Sequence, residues 1–68
     1  MEIEWRQDRK IPDHYWFTSV RATVYILDGT RRLHTSQPDN FGNRTHGDIR
    51  VKDRAHAERI IKAIEDSE

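Results

Sequence analysis

The chain has 68 residues, 12 basic and 12 acidic side chains, 34% hydrophobic residues and no cysteine. That length supports one small domain over 1–68 and not two, and the absence of cysteine excludes a disulfide scaffold, a thiolate zinc site and a thiol nucleophile. No apolar run reaches the length of a membrane span or a signal-peptide core, so the expectation is a soluble cytoplasmic protein with no membrane association.

The first element is a strand over residues 2–6, where Met1, Ile3 and Trp5 alternate with Glu2, Glu4 and Arg6. Residues 7–14 are charged, contain Ile11-Pro12 and read as a loop. Residues 15–27 are rich in aromatic and β-branched side chains and read as one long strand with a bend near Thr18-Ser19. Asp28-Gly29 is a strong hairpin signal, because a two-residue turn of type I′ needs positive φ at both positions. The return strand runs from Thr30 to Ser36. The two-residue turn pairs Leu27 with Thr30, Tyr25 with Arg32 and Val24 with Leu33. It puts Val20, Ala22, Val24, Ile26 and Leu33 on one face, and Arg21, Thr23, Tyr25, Arg32 and His34 on the other.

A loop rich in Pro, Gly and Asn is expected over 37–47 and, at that length, is expected to be mobile. A strand follows over 48–52 with Ile49 and Val51 inward. Asp53 is a good N-cap for a helix over 54–66, on which Ala57, Ile60, Ile61 and Ile64 form one apolar stripe. Acidic residues at the end of that helix oppose its dipole, so the last turn is expected to fray. The resulting fold class is α+β: a small antiparallel sheet of three to four strands with one C-terminal α-helix packed on one face. The expected core is Ile3, Trp5, Trp16, Val20, Val24, Ile26, Leu33, Ile49, Val51, Ala57, Ile60, Ile61 and Ile64.

Charge is balanced overall but not along the chain. Residues 29–52 carry five basic against two acidic side chains, and residues 53–68 carry three against five. Near-neutral net charge gives little repulsion between copies, which favours life in a complex or a homodimer.

No residue pattern points to catalysis. Gly29, Gly42 and Gly47 are isolated, so no phosphate-cradling loop forms, and no serine-centred nucleophile motif occurs. His14, His34, His46 and His56 lack metal-ligand spacing, and in Asp39-Asn40-Phe41-Gly42-Asn43 the Phe falls where an oxygen ligand belongs. The expectation is a protein that is not an enzyme and carries neither cofactor nor metal. The informative segment is His14-Tyr15-Trp16-Phe17, since three consecutive aromatics in a strand cannot all face one side.

With Trp16 inward, Tyr15, Phe17, Arg21, Tyr25, Arg32 and His34 form an outer face, joined by Phe41 and Arg44 from the 37–47 loop. Tyr, Phe and Arg are typical anchors of protein interfaces. The preferred expectation is therefore a small binding module that docks on another protein. Free-standing β-plus-α chains of this size suggest a phage or mobile-element inhibitor or adaptor of host machinery. The alternative is a nucleic-acid-binding accessory protein using Arg21, Arg31, Arg32, His34, Arg44 and Arg50 on phosphates, with bases stacked on the aromatics. The strand-strand-strand-helix order of the tail is similar to that of the arm-type DNA-binding domains of tyrosine recombinases, a likeness in element order alone, and those sheets carry a more basic face.

Overall fold

The computed structural model describes residues 1–29 and 31–67. Five strands, β1 (Arg6–Gln7), β2 (Tyr15–Thr18), β3 (Val24–Leu27), β4 (Arg32–Pro38) and β5 (Arg44–Arg50), precede one helix, α1 (Arg54–Asp66). Every strand pairs antiparallel with its neighbour in sequence, so the sheet is a meander in the order β1-β2-β3-β4-β5. The α+β class with a C-terminal helix on an antiparallel sheet is the one the sequence predicts, with five strands in place of three or four.

Three of the connections are built alike. In each, a residue with a short polar side chain opens the turn, and its backbone N–H bonds the carbonyl four residues on: Ser19 to Thr23 at 2.9 Å, Asp28 to Arg32 at 3.1 Å and Asp39 to Asn43 at 2.9 Å. The same side chains accept the returning N–H groups, Thr23 onto Ser19 Oγ at 3.2 Å, Arg32 onto Asp28 Oδ1 at 3.2 Å and Asn43 onto Asp39 Oδ1 at 2.9 Å. Each turn places its fourth residue in the left-handed region, Ala22 at φ 64°, Arg31 at φ 63° and Gly42 at φ 84°. These are three-residue hairpin loops, each closed by a left-handed residue.

Those turns correct the expected strands. The expected long strand over 15–27 is two strands folded back on each other at Ser19–Thr23, with Phe17 opposite Tyr25. The Asp28-Gly29 turn is not a two-residue one: Leu27 pairs with Leu33, three residues beyond its expected partner Thr30, which lies outside the described residues. Three is odd, so the shift exchanges the faces. The expected 37–47 loop shrinks to residues 39–43, because β4 extends to Pro38 and β5 begins at Arg44. Thr35 and Gly47 sit opposite each other, and a β-carbon at position 47 would lie 2.6 Å from Thr35 Oγ1. The expected N-terminal strand over 2–6 is paired only at Arg6–Gln7.

With the faces exchanged, Tyr25, Leu27 and Leu33 are buried under α1, together with Val51, Ala57 and Ile61. Ile3, Trp5, Phe17, Ile49, Ile60 and Ile64 pack around them. Burying a Leu or Ile side chain stabilises by about 1.5–3 kcal/mol. Four residues expected in the core lie elsewhere. Val20 is fully exposed at a turn, Trp16 is 44% exposed, and Val24 and Ile26 are half-buried on the opposite face.

The helix starts as expected, with the Asp53 carboxylate accepting from the His56 N–H at 2.8 Å. Its C-terminus does not depend on its own sequence for a cation. Arg21, from the β2–β3 turn, donates to the carbonyls of Ile64 at 3.0 Å and Glu65 at 2.9 Å. A guanidinium at that end satisfies free carbonyls and opposes the negative pole of the helix.

Candidate interaction face

The sheet has two faces and one helix, so one face lies uncovered. Side chains directly opposite in the register share a face, and this places Arg6, Trp16, Thr18, Val24, Ile26, His34, Ser36, His46 and Asp48 together on the open side. Arg32 and Arg50 stand opposite each other at its β4–β5 end, and Pro38 and Arg44 at the other. The middle is apolar, with Trp16 opposite Ile26 and Thr18 opposite Val24. Arg6 flanks Trp16 from β1.

The charged part of this face is organised around His34. Its Nε2 lies 2.7 Å from Asp28 Oδ2 and its Nδ1 lies 3.0 Å from Asp48 Oδ1. Carboxylates only accept, so both contacts are hydrogen bonds when the ring carries both protons. Asp48 also receives Arg32 at 3.2 Å. Arg44 folds over the sheet and donates to the Ser36 carbonyl at 3.0 Å, Ser36 Oγ at 3.2 Å and the Ala22 carbonyl at 3.4 Å. These acceptors are neutral, so the charge of Arg44 is solvated but not cancelled. Four arginines, Arg6, Arg32, Arg44 and Arg50, therefore share this side of the molecule with the carboxylates of Asp28 and Asp48.

Of the residues expected to form the contact surface, Arg32 and His34 lie on the open face, and Arg44 lies at its edge. Phe41 is 87% exposed at the tip of the 39–43 turn. Tyr15, Phe17, Tyr25 and Arg21 are corrections, since all four belong to the helix side. The Tyr15 ring lies under the Arg54 guanidinium, 4.4 Å from the centroid. Phe17 sits between Trp5 and Tyr25, with centroids 6.5 Å and 6.2 Å away. Tyr25 is 0% exposed and donates its hydroxyl to Glu65 Oε2 at 2.5 Å. Arg21 completes that group, with Nε 3.4 Å from Glu65 Oε1.

Burial alone would raise the Glu65 carboxyl, but hydrogen bonds from Tyr25, Ser19 and Arg21 outweigh it and hold it below the ordinary carboxylate value. Burial, then the bond to Glu65, pushes the Tyr25 phenol well above its ordinary value. Arg31 and Arg50, assigned to phosphate contacts in the alternative reading, are both exposed, Arg31 in a turn and Arg50 at the end of β5. The residues that reasoning from sequence missed on the open face are Arg6, Trp16, Val24, Ile26, His46 and Asp48.

Among the described residues, no group of three or more His, Asp or Glu side chains is arranged to hold a metal ion, and no helix is long and apolar enough to cross a membrane. Comparison with protein-family profiles, with curated proteins and with solved structures finds no match.

Proposed function

We propose that the chain is a small non-catalytic binding module that docks on another protein through the open face of its sheet. The observation that carries this reading is Trp16. It is 44% exposed on β2 of the uncovered sheet face, with Ile26 opposite it on one side and Arg6 on the other. Trp and Arg dominate the energetics of protein interfaces, because a Trp ring brings a large apolar area and an Arg stem packs while its head finds carboxylates. The partner surface that fits is apolar at its centre and ringed by Asp and Glu, to meet Arg6, Arg32 and Arg50. Phe41, at the tip of the 39–43 turn, extends the contact beyond the sheet. Such a module acts by occupying its target, as an inhibitor or adaptor.

Single-stranded nucleic acid is the competing occupant, favoured by the same excess of arginine over carboxylate beside an aromatic ring. One experiment separates the two. The tagged chain, a Trp16→Ser/Arg50→Glu variant and a Lys62→Glu control on the helix are used to capture partners from nuclease-treated lysate. The expected result is a protein captured by the wild type and the control and lost by the open-face variant. Equal capture by all three overturns the assignment of the face. Capture that vanishes with nuclease, accompanied by oligonucleotide binding that weakens steeply with salt, overturns the choice of a protein partner.

A further inference from the structure

We propose that β5 pairs with the β5 strand of a second copy, antiparallel about a two-fold axis at His46, so that two sheets become one. This does not rest on the docking reading above, since it uses the edge of the sheet and not its centre.

The two edges of this sheet differ. β1 is two residues long, whereas β5 runs for seven residues, Arg44 to Arg50, with neither proline nor lysine. Short strands, prolines and charged side chains guard an edge against further pairing; β5 is long and free of proline, so its charges, Arg44, Asp48 and Arg50, decide which register a second strand could take. Every β5 residue except Ile49 is exposed.

The hydrogen-bond pattern shows which backbone groups are free. The ladder bonds between β4 and β5 fall at alternate pairs. They are anchored at one end by the Asp39 N–H to the Asn43 carbonyl and at the other by the Val51 N–H to the Arg31 carbonyl. In an antiparallel ladder the bonded pairs alternate, so Thr45, Gly47 and Ile49 bond to β4. Arg44, His46 and Asp48 turn their N–H and C=O groups outward, on the side where a second strand would lie.

Charge selects the register. With the axis at His46, Arg44 stands opposite Asp48 of the second copy, and the symmetry makes this pair twice. His46 then faces His46 of the second copy. Moving the axis to Gly47 sets Arg44 opposite Arg50, and moving it to Asp48 sets that carboxylate opposite its own copy. Like charges directly opposite destabilise a ladder, and opposite charges stabilise it. Arg44 is available for this role because its present acceptors are all neutral, and Asp48, which already meets Arg32 and His34, is half exposed and would share its carboxylate with the second copy's Arg44. The balanced net charge of the chain adds no general repulsion between copies.

Sedimentation equilibrium over a wide concentration range tests the proposal on the intact chain. The wild type is expected to move from the monomer mass toward twice that mass as concentration rises. His46→Pro removes an outward N–H and leaves the β4–β5 ladder intact, so it is expected to stay monomeric with an unchanged circular dichroism spectrum. Arg44→Asp sets two carboxylates face to face and is expected to stay monomeric. Arg44→Asp/Asp48→Arg restores the opposite charges and is expected to associate again. A wild type that remains at the monomer mass overturns the proposal. So does association that persists in both His46→Pro and Arg44→Asp, or a charge-swapped double variant that does not recover it.

Discussion

Tyr25→Phe distinguishes the two ways of facing this sheet. The substitution keeps the ring, its stacking on Phe17 at 6.2 Å and its burial, and deletes only the hydroxyl that donates to Glu65 Oε2 at 2.5 Å. The acceptor is a carboxylate on a side chain that is itself 5% exposed, so the lost bond is charge-assisted and water does not readily replace it. Hydrogen bonds to charged groups contribute about 1.5–3 kcal/mol. Glu65 keeps its contacts to Arg21 and Ser19, which places the expected loss toward the lower half of that range, about 2 kcal/mol. For a domain of this size, that is a fall in Tm of roughly 10 °C.

Urea unfolding monitored by tryptophan fluorescence measures the change, with an unaltered m-value showing that the two-state transition is intact. The double variant with Glu65→Gln then reports the coupling between the two side chains, and it is expected to be large. Had Tyr25 faced outward, the substitution would fall within about 0.5 kcal/mol of zero, as surface changes do. A change that small would refute the burial of Tyr25 and, with it, the assignment of the open face.

Ala22→Gly is expected to stabilise by about 1 kcal/mol, because residue 22 sits at φ 64°, where a β-carbon is strained; a loss of stability in the same urea assay would contradict the turn geometry. Ile61→Ala is expected to cost about 2–5 kcal/mol, enough to leave a chain of this size partly unfolded, and circular dichroism reads the loss directly. Acid should act through Glu65. Its folded pKa lies below its unfolded value, so its contribution is present above the ordinary carboxylate pKa and is lost as pH falls through the folded one. The difference in stability between wild type and Glu65→Gln is therefore expected to shrink below about pH 4.5, and a difference that is constant with pH would contradict the bonding assigned to this carboxylate.

The helix was legible because its signals are local: Asp53 as cap, then Ala57, Ile60, Ile61 and Ile64 at helical spacing. The strand regions were legible as well, but the face of each was not. Face depends on register, and register on the number of residues in each turn. Asp28-Gly29 resembles a two-residue turn, yet Asp28 serves as the opening acceptor of a longer one, and Arg31 takes the left-handed position that glycine commonly holds. That difference moved Tyr25 and Phe17 inward and Trp16 outward.

Two signals were available in the sequence. The run over 15–27 is far longer than an ordinary strand, and Ser19, Asp28 and Asp39 each stand where a short acceptor opens a turn. The partnership of Arg21 and Tyr25 with Glu65 links residues forty or more positions apart, and nothing local announces it.

The most direct test of the central claim places a photo-crosslinking amino acid at Trp16 and, separately, at Lys62 on the exposed side of the helix, and irradiates each chain in nuclease-treated lysate. The account predicts a discrete protein adduct from position 16 and none of the same mass from position 62. The same adduct from both positions, or one from position 62 alone, would show that the open face of the sheet is not where this protein meets its partner.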